Sequence, residues 1–257
     1  MNPRKQFIAL LTIVRKEINR ILRIWTQTLL PPLISQSLYF VIFGSIIGSQ
    51  VGAIHGVSYM SFIVPGLVMM AVINSSYGNV VSSFYGAKFQ RNIEEVLVSP
   101  TSEEIIIAGY TLGGVLRGVI VGILVFGVSC FFTHPIIQHP FVIIFFMIVT
   151  SVLFSLGALI NGLFARNFDE VAFFQNFILT PLIYLGGVFY SIHSLPQFWQ
   201  NVSLLNPLIY MINGFRYGFY GFADVHLGLC GLILTTLTIV LAGTNLILLK
   251  KGIGIKS

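Results

Sequence analysis

Five apolar stretches dominate the chain: Ile24 to Gly48, Tyr59 to Phe84, Ile105 to Phe132, Phe141 to Ala165 and Leu227 to Leu249. Each is longer than the roughly 18 residues that cross a hydrocarbon layer, and none carries more than one charge. A sixth run, Val171 to Tyr190, is about as long as a minimal span and holds no charge. Water is a poor solvent for such a chain, and in lipid only helices and closed barrels satisfy their own backbones. Runs this long and this uniformly apolar predict an all-α, polytopic membrane protein of six transmembrane helices forming one transmembrane domain over residues 1–257.

The composition agrees, with 56% hydrophobic and 9% charged residues and a mean hydropathy of +0.91, against roughly 25% charged in an ordinary soluble domain. The first run starts too deep in the chain, and is too long, for a signal-peptide core, so it is read as retained. Cys130 and Cys230 fall at the outer ends of the third and sixth spans and are read as buried thiols rather than a disulfide. The net charge of +6 does not point to nucleic acid, because the cations are distributed by loop. Arg4, Lys5, Arg15, Lys16, Arg20 and Arg23 precede the first span, Lys88 and Arg91 follow the second, Arg166 follows the fourth, and Lys250, Lys251 and Lys256 follow the sixth. The connections after the first and third spans have none. The positive-inside rule then puts both termini and the loops after the second and fourth spans in the cytoplasm.

Residues 1–23 read as an interfacial helix. Phe7, Leu11, Val14, Ile18, Ile21 and Trp25 recur at three- and four-residue steps, with Lys5, Lys16, Arg20 and Arg23 on the other side, so membrane lipid is the expected partner of this stripe. Residues 86–104 hold the densest charge. Phe89, Ile93, Val96 and Leu97 fall on one side and Arg91 and Glu95 on another, which predicts a short amphipathic helix from Ala87 to Val98 ended by Ser99-Pro100. A solvated turn would not need a dozen patterned residues, so a docking surface for a cytoplasmic partner is preferred. Thr101 to Glu104 matches a capping box at the start of the third span.

Within that span Gly114, Gly118 and Gly122, with Gly109 and Gly113, make a small-residue ridge for close helix approach. Arg117 lies beside the ridge, about 18 Å into the helix. An intramembrane cation has two readings that remain open, a functional charge or a structural one pairing with carbonyls. Residues 191–226 are too apolar for a free outer loop and are broken by Pro196, Asn206-Pro207 and Gly214. They read as short helices dipping back into the outer leaflet, with Trp199, Tyr210, Tyr217 and Tyr220 at headgroup level.

Enzymatic features are missing. No phosphate loop occurs, Gly252 to Ser257 having the wrong spacing. His134 and His139 lack converging ligands, so no metal site is expected. No catalytic residue is expected either. The spans contain no carboxylate, which argues against an ion-coupled carrier or channel working alone and leaves an external energy source as the preferred reading.

Three stretches are similar to the permease subunits of ABC-2 type exporters, and most of all to YadH-like and NodJ-like members. They are Tyr59 to Gly66, Ala87 to Pro100, and Leu185 to Tyr190 leading to Leu205-Asn206-Pro207 and Phe215 to Gly218. The resemblance implies a half-transporter, in which two permease copies pair above two ABC ATPase subunits. Mg-ATP is then bound by the ATPase, and this chain needs no cofactor. It also implies that the loop helix couples to the ATPase through Lys88, Phe89, Arg91, Glu94, Glu95, Leu97, Ser99 and Pro100, and that Trp199, Asn206, Pro207 and Arg216 belong to an outer gate. The first, second and fifth spans would lie near the dimer axis. Asn74, Tyr77, Asn79, Phe173, Phe174, Tyr184, Phe189 and Tyr190 are therefore expected along a route for an amphipathic or glycan-type substrate.

Overall fold

The computed structural model describes residues 3–254, without the side chains of Glu94, Val96 and Leu97; Lys256 lies outside the described residues. The chain opens with α1 (Pro3–Arg23), which is followed by α2 (Trp25–Thr28), α3 (Leu30–Tyr39), a π-helical stretch (Phe40–Ile47) and α4 (Gly48–Val51). From Trp25 to Val51 these pieces form one apolar rod of 27 residues. The break at Leu29 coincides with Pro31 and Pro32, which cannot donate to the preceding turn and sit at the first positions of α3. A two-residue hairpin, β1 (Ala53–Ile54) with β2 (Val57–Ser58), turns the chain. Its corner residues His55 and Gly56 have φ of 50° and 78°, the left-handed geometry that matches strand twist.

Next come α5 (Tyr59–Phe89), α6 (Asn92–Val98), α7 (Glu103–Phe132) and α8 (Pro140–Phe164). The following helix runs without interruption from α9 (Phe168–Phe173) through a π-helical stretch (Phe174–Leu179) to α10 (Thr180–Tyr184). After a 3₁₀ turn (Ile192–Ser194), α11 (Gln197–Ser203), α12 (Pro207–Tyr220) and α13 (Leu227–Lys250) complete the chain. Among the described residues five helices are long and apolar enough to cross a membrane: Trp25–Val51, α5, α7, α8 and α13. The helix 168–184 ends before the expected Tyr190, at Leu185-Gly186-Gly187, where Gly187 takes φ of 78°. At 1.5 Å per residue it is about 25 Å long, shorter than the other five.

The core is built around α5, whose apolar stretch is 89% buried, against 17% for Trp25–Val51. The glycine ridge of α7 explains how α5 is surrounded so closely. A Cβ at Gly114 would collide with Val80 of α5 and Ser155 of α8, one at Gly118 with Ser76 and Ser151, and one at Gly122 with Val72. Gly109 and Gly113 face the other way, onto Ile13 and Glu17 of α1. Helix α12 fills the remaining side. It is buried almost throughout, with Gly214 against Phe146 and Gly218 against Ile143 of α8.

Two local expectations are corrected. The helix expected from Ala87 to Val98 is two pieces, because α5 continues to Phe89 and Arg91 adopts a left-handed φ of 61° before α6 begins. The capping box does not form: Ser102 is the N-cap and makes no side-chain cap bond, the Thr101 hydroxyl accepts from Ser99 Oγ at 2.8 Å, and Glu104 pairs with Lys250 at 3.3 Å. Cys230 is buried as expected, Cys130 is exposed, and both are free thiols.

Candidate translocation cleft and coupling surface

Each helix breaker leaves a carbonyl without its helical donor, and in an apolar bundle that carbonyl needs another. Pro65 lies inside α5 and deprives Ser61 O of a donor; Tyr220 of α12 supplies one, its hydroxyl at 2.7 Å. Pro32 does the same to Thr28 O, and Arg117 Nη2 donates there at 3.1 Å. At the end of helix 168–184, Asn206 Nδ2 donates to Leu182 O at 2.8 Å, and Arg216 Nη2 donates to Gly187 O at 2.7 Å. At the end of α8, Lys88 Nζ donates to Leu163 O and Ala165 O at 2.6 and 3.0 Å. Cations suit these sites because helix C-termini carry partial negative charge.

Lys88 is thereby turned inward, away from the exposed surface of the 86–104 loop. That surface presents Arg91, Glu95 and Pro100, the ring of Phe89 tilted against Phe168 at 5.1 Å, and Val98, 87% exposed. Ile93 points into the core. Ser99 is half-buried and donates to Thr101. The side chains of Glu94 and Leu97, also expected on this surface, lie outside the described residues.

Between the first apolar rod, α5 and helix 168–184 runs an open cleft of about 450 Å³. Its walls carry polar groups from all three elements: Gln27, Ser35, Gln36 and Tyr39; Asn74 and Ser75; Gln175, Thr180 and Tyr184. Arg117 reaches it from α7. Tyr39 and Tyr184 bridge the rod and helix 168–184 through their hydroxyls at 2.5 Å. Phe189 stacks beside them on Phe43 at 4.2 Å, so an aromatic cluster borders the cleft next to this bridge. On the two elements that frame the cleft, Leu38, Val41 and Ile42 of the rod and Phe173 and Phe177 of helix 168–184 are exposed.

Of the residues expected along a substrate route, Asn74 and Tyr184 line this cleft and Phe189 borders it. Tyr77 does not: it is fully buried, accepts from Asn161 Nδ2 at 2.5 Å, and lines with Phe174 a separate apolar cavity of about 200 Å³. Tyr190 turns back to Leu185 O at 2.8 Å. Asn79 is buried in a polar knot below the cleft. There Glu17 of α1, wholly buried, accepts from Ser83, from Asn79 Nδ2 at 3.3 Å and from Arg20 Nη2 at 3.1 Å. Arg20 also reaches Asn79 Oδ1 at 2.8 Å and Ser82 Oγ at 3.1 Å. Arg20, expected with Lys5, Lys16 and Arg23 on the side opposite the apolar stripe, is instead drawn into this knot: α1 buries Glu17 and Ile21 and sets Ile13 and Glu17 against α7, while Lys5, Lys16 and Arg23 as well as Phe7, Leu11 and Ile18 stay exposed.

On the opposite end, Arg216 is buried with its guanidinium 4.0 Å from the Phe62 ring centre. Asp224, not singled out by pattern, ties residues 191–226 together. Its carboxylate accepts from Ser191 Oγ at 2.9 Å and Ile192 N at 2.8 Å and lies 3.8 Å from His55 Nε2. Asn206 caps α12 and Pro207 begins it, while Trp199 and Phe198 are exposed on α11 and Leu205 just after it.

A bundle of five long apolar helices with a polar cleft, a charged loop surface and no metal-ligating cluster among the described residues is the architecture of a multi-pass membrane permease. The chain belongs to the ABC-2 type transporter family, which it matches over residues 8–220. It is 53% identical over 252 residues to the inner membrane transport permease YadH of Escherichia coli K12, covering 98% of both chains. Over 203 residues it is 26% identical to nodulation protein J of Rhizobium meliloti, covering 75% of this chain and 74% of that one. It is therefore a membrane component of an ABC transporter in the bacterial inner membrane, not itself catalytic, of a family that generally works with an ABC ATPase.

Proposed function

We propose that two copies of this chain pair across their clefts and, driven by two separate ABC ATPase subunits, move an amphipathic or glycan-type substrate outward. The observation that carries this reading is the cleft itself. It joins polar groups of three elements, and the rod and helix 168–184 that frame it carry exposed apolar residues that a second copy would cover. In this reading helix 168–184 is the fifth of six spans, both termini and the 86–104 loop face the cytoplasm, and α11 with α12 forms a re-entrant outer gate. The buried α12 beside the exposed aromatic face of α11 supports that last assignment.

Arg91, Phe89, Glu95 and Val98 offer the ATPase a mixed charged and apolar surface, the composition of a docking patch. Co-purification of the full chain with its ATPase tests the assignment. Glu95→Arg with Val98→Asp is expected to lower the retained ATPase at least about fivefold, near 1 kcal/mol, without changing the thermal stability of the permease. Unchanged retention would remove the docking surface from this loop.

An ion-coupled carrier working alone would draw on a buried carboxylate such as Glu17. That group is held by Arg20, Asn79 and Ser83 and lies outside the cleft. Transport by the chain in vesicles lacking any ATPase would favour the carrier reading and overturn the first.

A further inference from the structure

Among the residues lining the cleft, Arg117 alone is charged, and no carboxylate faces it. One Arg117 nitrogen serves Thr28 O, while its Nε has no partner among the described residues. Two more lining groups lack partners although their residues are at least nine-tenths buried: Gln36 Oε1 and Ser75 Oγ. Arg117 Nε and Ser75 Oγ can donate to an anion, while Gln36 Oε1, an acceptor, suits a hydroxyl or amide N–H on the same ligand.

The approach to this point carries the same sign. On the cytoplasmic side, a basin of about 660 Å³ is lined by Arg15, Lys16, Arg20 and Arg23 together with Thr12 and Asn19. Glu17, the nearest acid on α1, faces away into the bundle. A strip of α5 joins basin to cleft. Between Ser61 and Ala87 its residues that are not buried are Asn74, Gly78, Ser82 and Gly86, spaced by four. Asn74 and Gly78 line the cleft, and Ser82 accepts from Arg20 at the basin. A Cβ at Gly78 or Gly86 would meet nothing within 4 Å, unlike the glycines of α7 that make contact with α5 and α8. These two glycines are not required by packing; they leave the strip open.

We propose that the cleft selects amphiphiles bearing an anionic group, phosphate or carboxylate, which the basic basin gathers and Arg117 holds with the Ser75 hydroxyl. This rests on the cleft being the substrate route and names the chemistry of what enters it. A cationic amphiphile meets like charge at both stations, and a neutral one leaves Arg117 without a counter-charge in a low-dielectric site.

The test is equilibrium binding of radiolabelled dodecyl phosphate and dodecyltrimethylammonium to the full chain in phosphatidylcholine nanodiscs, corrected for empty discs. Dodecyl phosphate is expected to bind at least about tenfold tighter, the discrimination one desolvated charge contact provides. Arg117→Gln should reduce the preference to less than about threefold and Arg117→Lys should keep it. Gly78→Leu, which fills the strip without disturbing packing, should weaken dodecyl phosphate at least about fivefold. Should Arg117→Gln fail to fold because Thr28 O loses its donor, Arg117→Lys and Gly78→Leu still decide. Equal binding of the two probes, a preference surviving Arg117→Gln, or no effect of Gly78→Leu would each overturn the proposal, the last by putting the anion on the α1 surface. No ATPase is present in this assay, so such a failure leaves the ATP-driven reading untouched.

Discussion

Replacing Tyr220 with Phe removes one hydroxyl and leaves the ring packed between Phe219 and Phe222, so the change isolates a single hydrogen bond. The group it abandons is Ser61 O, which Pro65 has already deprived of its helical donor and which lies among buried residues of α5. A buried carbonyl left without a partner costs about 1–3 kcal/mol. At roughly 2–4 °C per kcal/mol for a chain of this size, Tyr220→Phe should lower the unfolding midpoint of the purified protein by about 2–12 °C. The decisive step is the second background. Pro65→Ala restores a backbone N–H in register with Ser61 O, so in that background the Tyr220→Phe penalty should fall to less than half. Thermal unfolding of the four proteins in one detergent, followed by intrinsic fluorescence, measures the coupling. Equal penalties with and without Pro65 would refute the argument that Tyr220 stands in for the missing proline donor.

Removing the Glu17 carboxylate with Glu17→Ala leaves Arg20, still a quarter exposed and bonded to Asn79, at a cost of about 2–3 kcal/mol; a midpoint drop of several degrees is expected, smaller for Glu17→Gln. Gly118→Val should sharply reduce the yield of folded protein because its Cβ meets Ser76, whereas Gly127→Val, where a Cβ meets nothing within 4 Å, should express like the parent. Asp224→Asn removes the charge that holds Ser191 and Ile192, and limited proteolysis should then cut residues 191–206 at least several times faster; an unchanged digest would deny Asp224 its tethering role.

Whatever depends on long-range composition was readable in the sequence. The apolar runs mark the five long helices because no other backbone satisfies itself in hydrocarbon, and the spacing of Gly114, Gly118 and Gly122 marks the seam with α5 and α8 because close helix approach needs small residues in that register. The docking of α1 was not readable. Periodicity identifies an apolar stripe, but the face that packs carries Ile13, Glu17 and Ile21 together, and only the fold brings Asn79 and Ser83 opposite Glu17. Arg91 was misread for a local reason: nothing in its pattern signals a left-handed residue, and a helix drawn through it puts Phe89 and Ile93 on one stripe when they lie on different helices. The partition of the aromatic and amide candidates was also hidden. Asn74 and Asn79 are five residues apart on one helix, yet one lines the cleft and the other is locked in the polar knot, which depends on what packs against each side of α5.

The cleft between the first rod, α5 and helix 168–184 is expected to face a second copy of the chain. Oxidative cross-linking in native membranes tests it directly, in a background with Cys130→Ser and Cys230→Ala. Single cysteines at Leu38 or Val41, exposed on the rod that frames the cleft, are expected to form covalent dimers, and a cysteine at Phe141, exposed on α8, is expected to stay monomeric. Dimers through Phe141 with none through Leu38 or Val41 would put the partner on the wrong face and contradict the account.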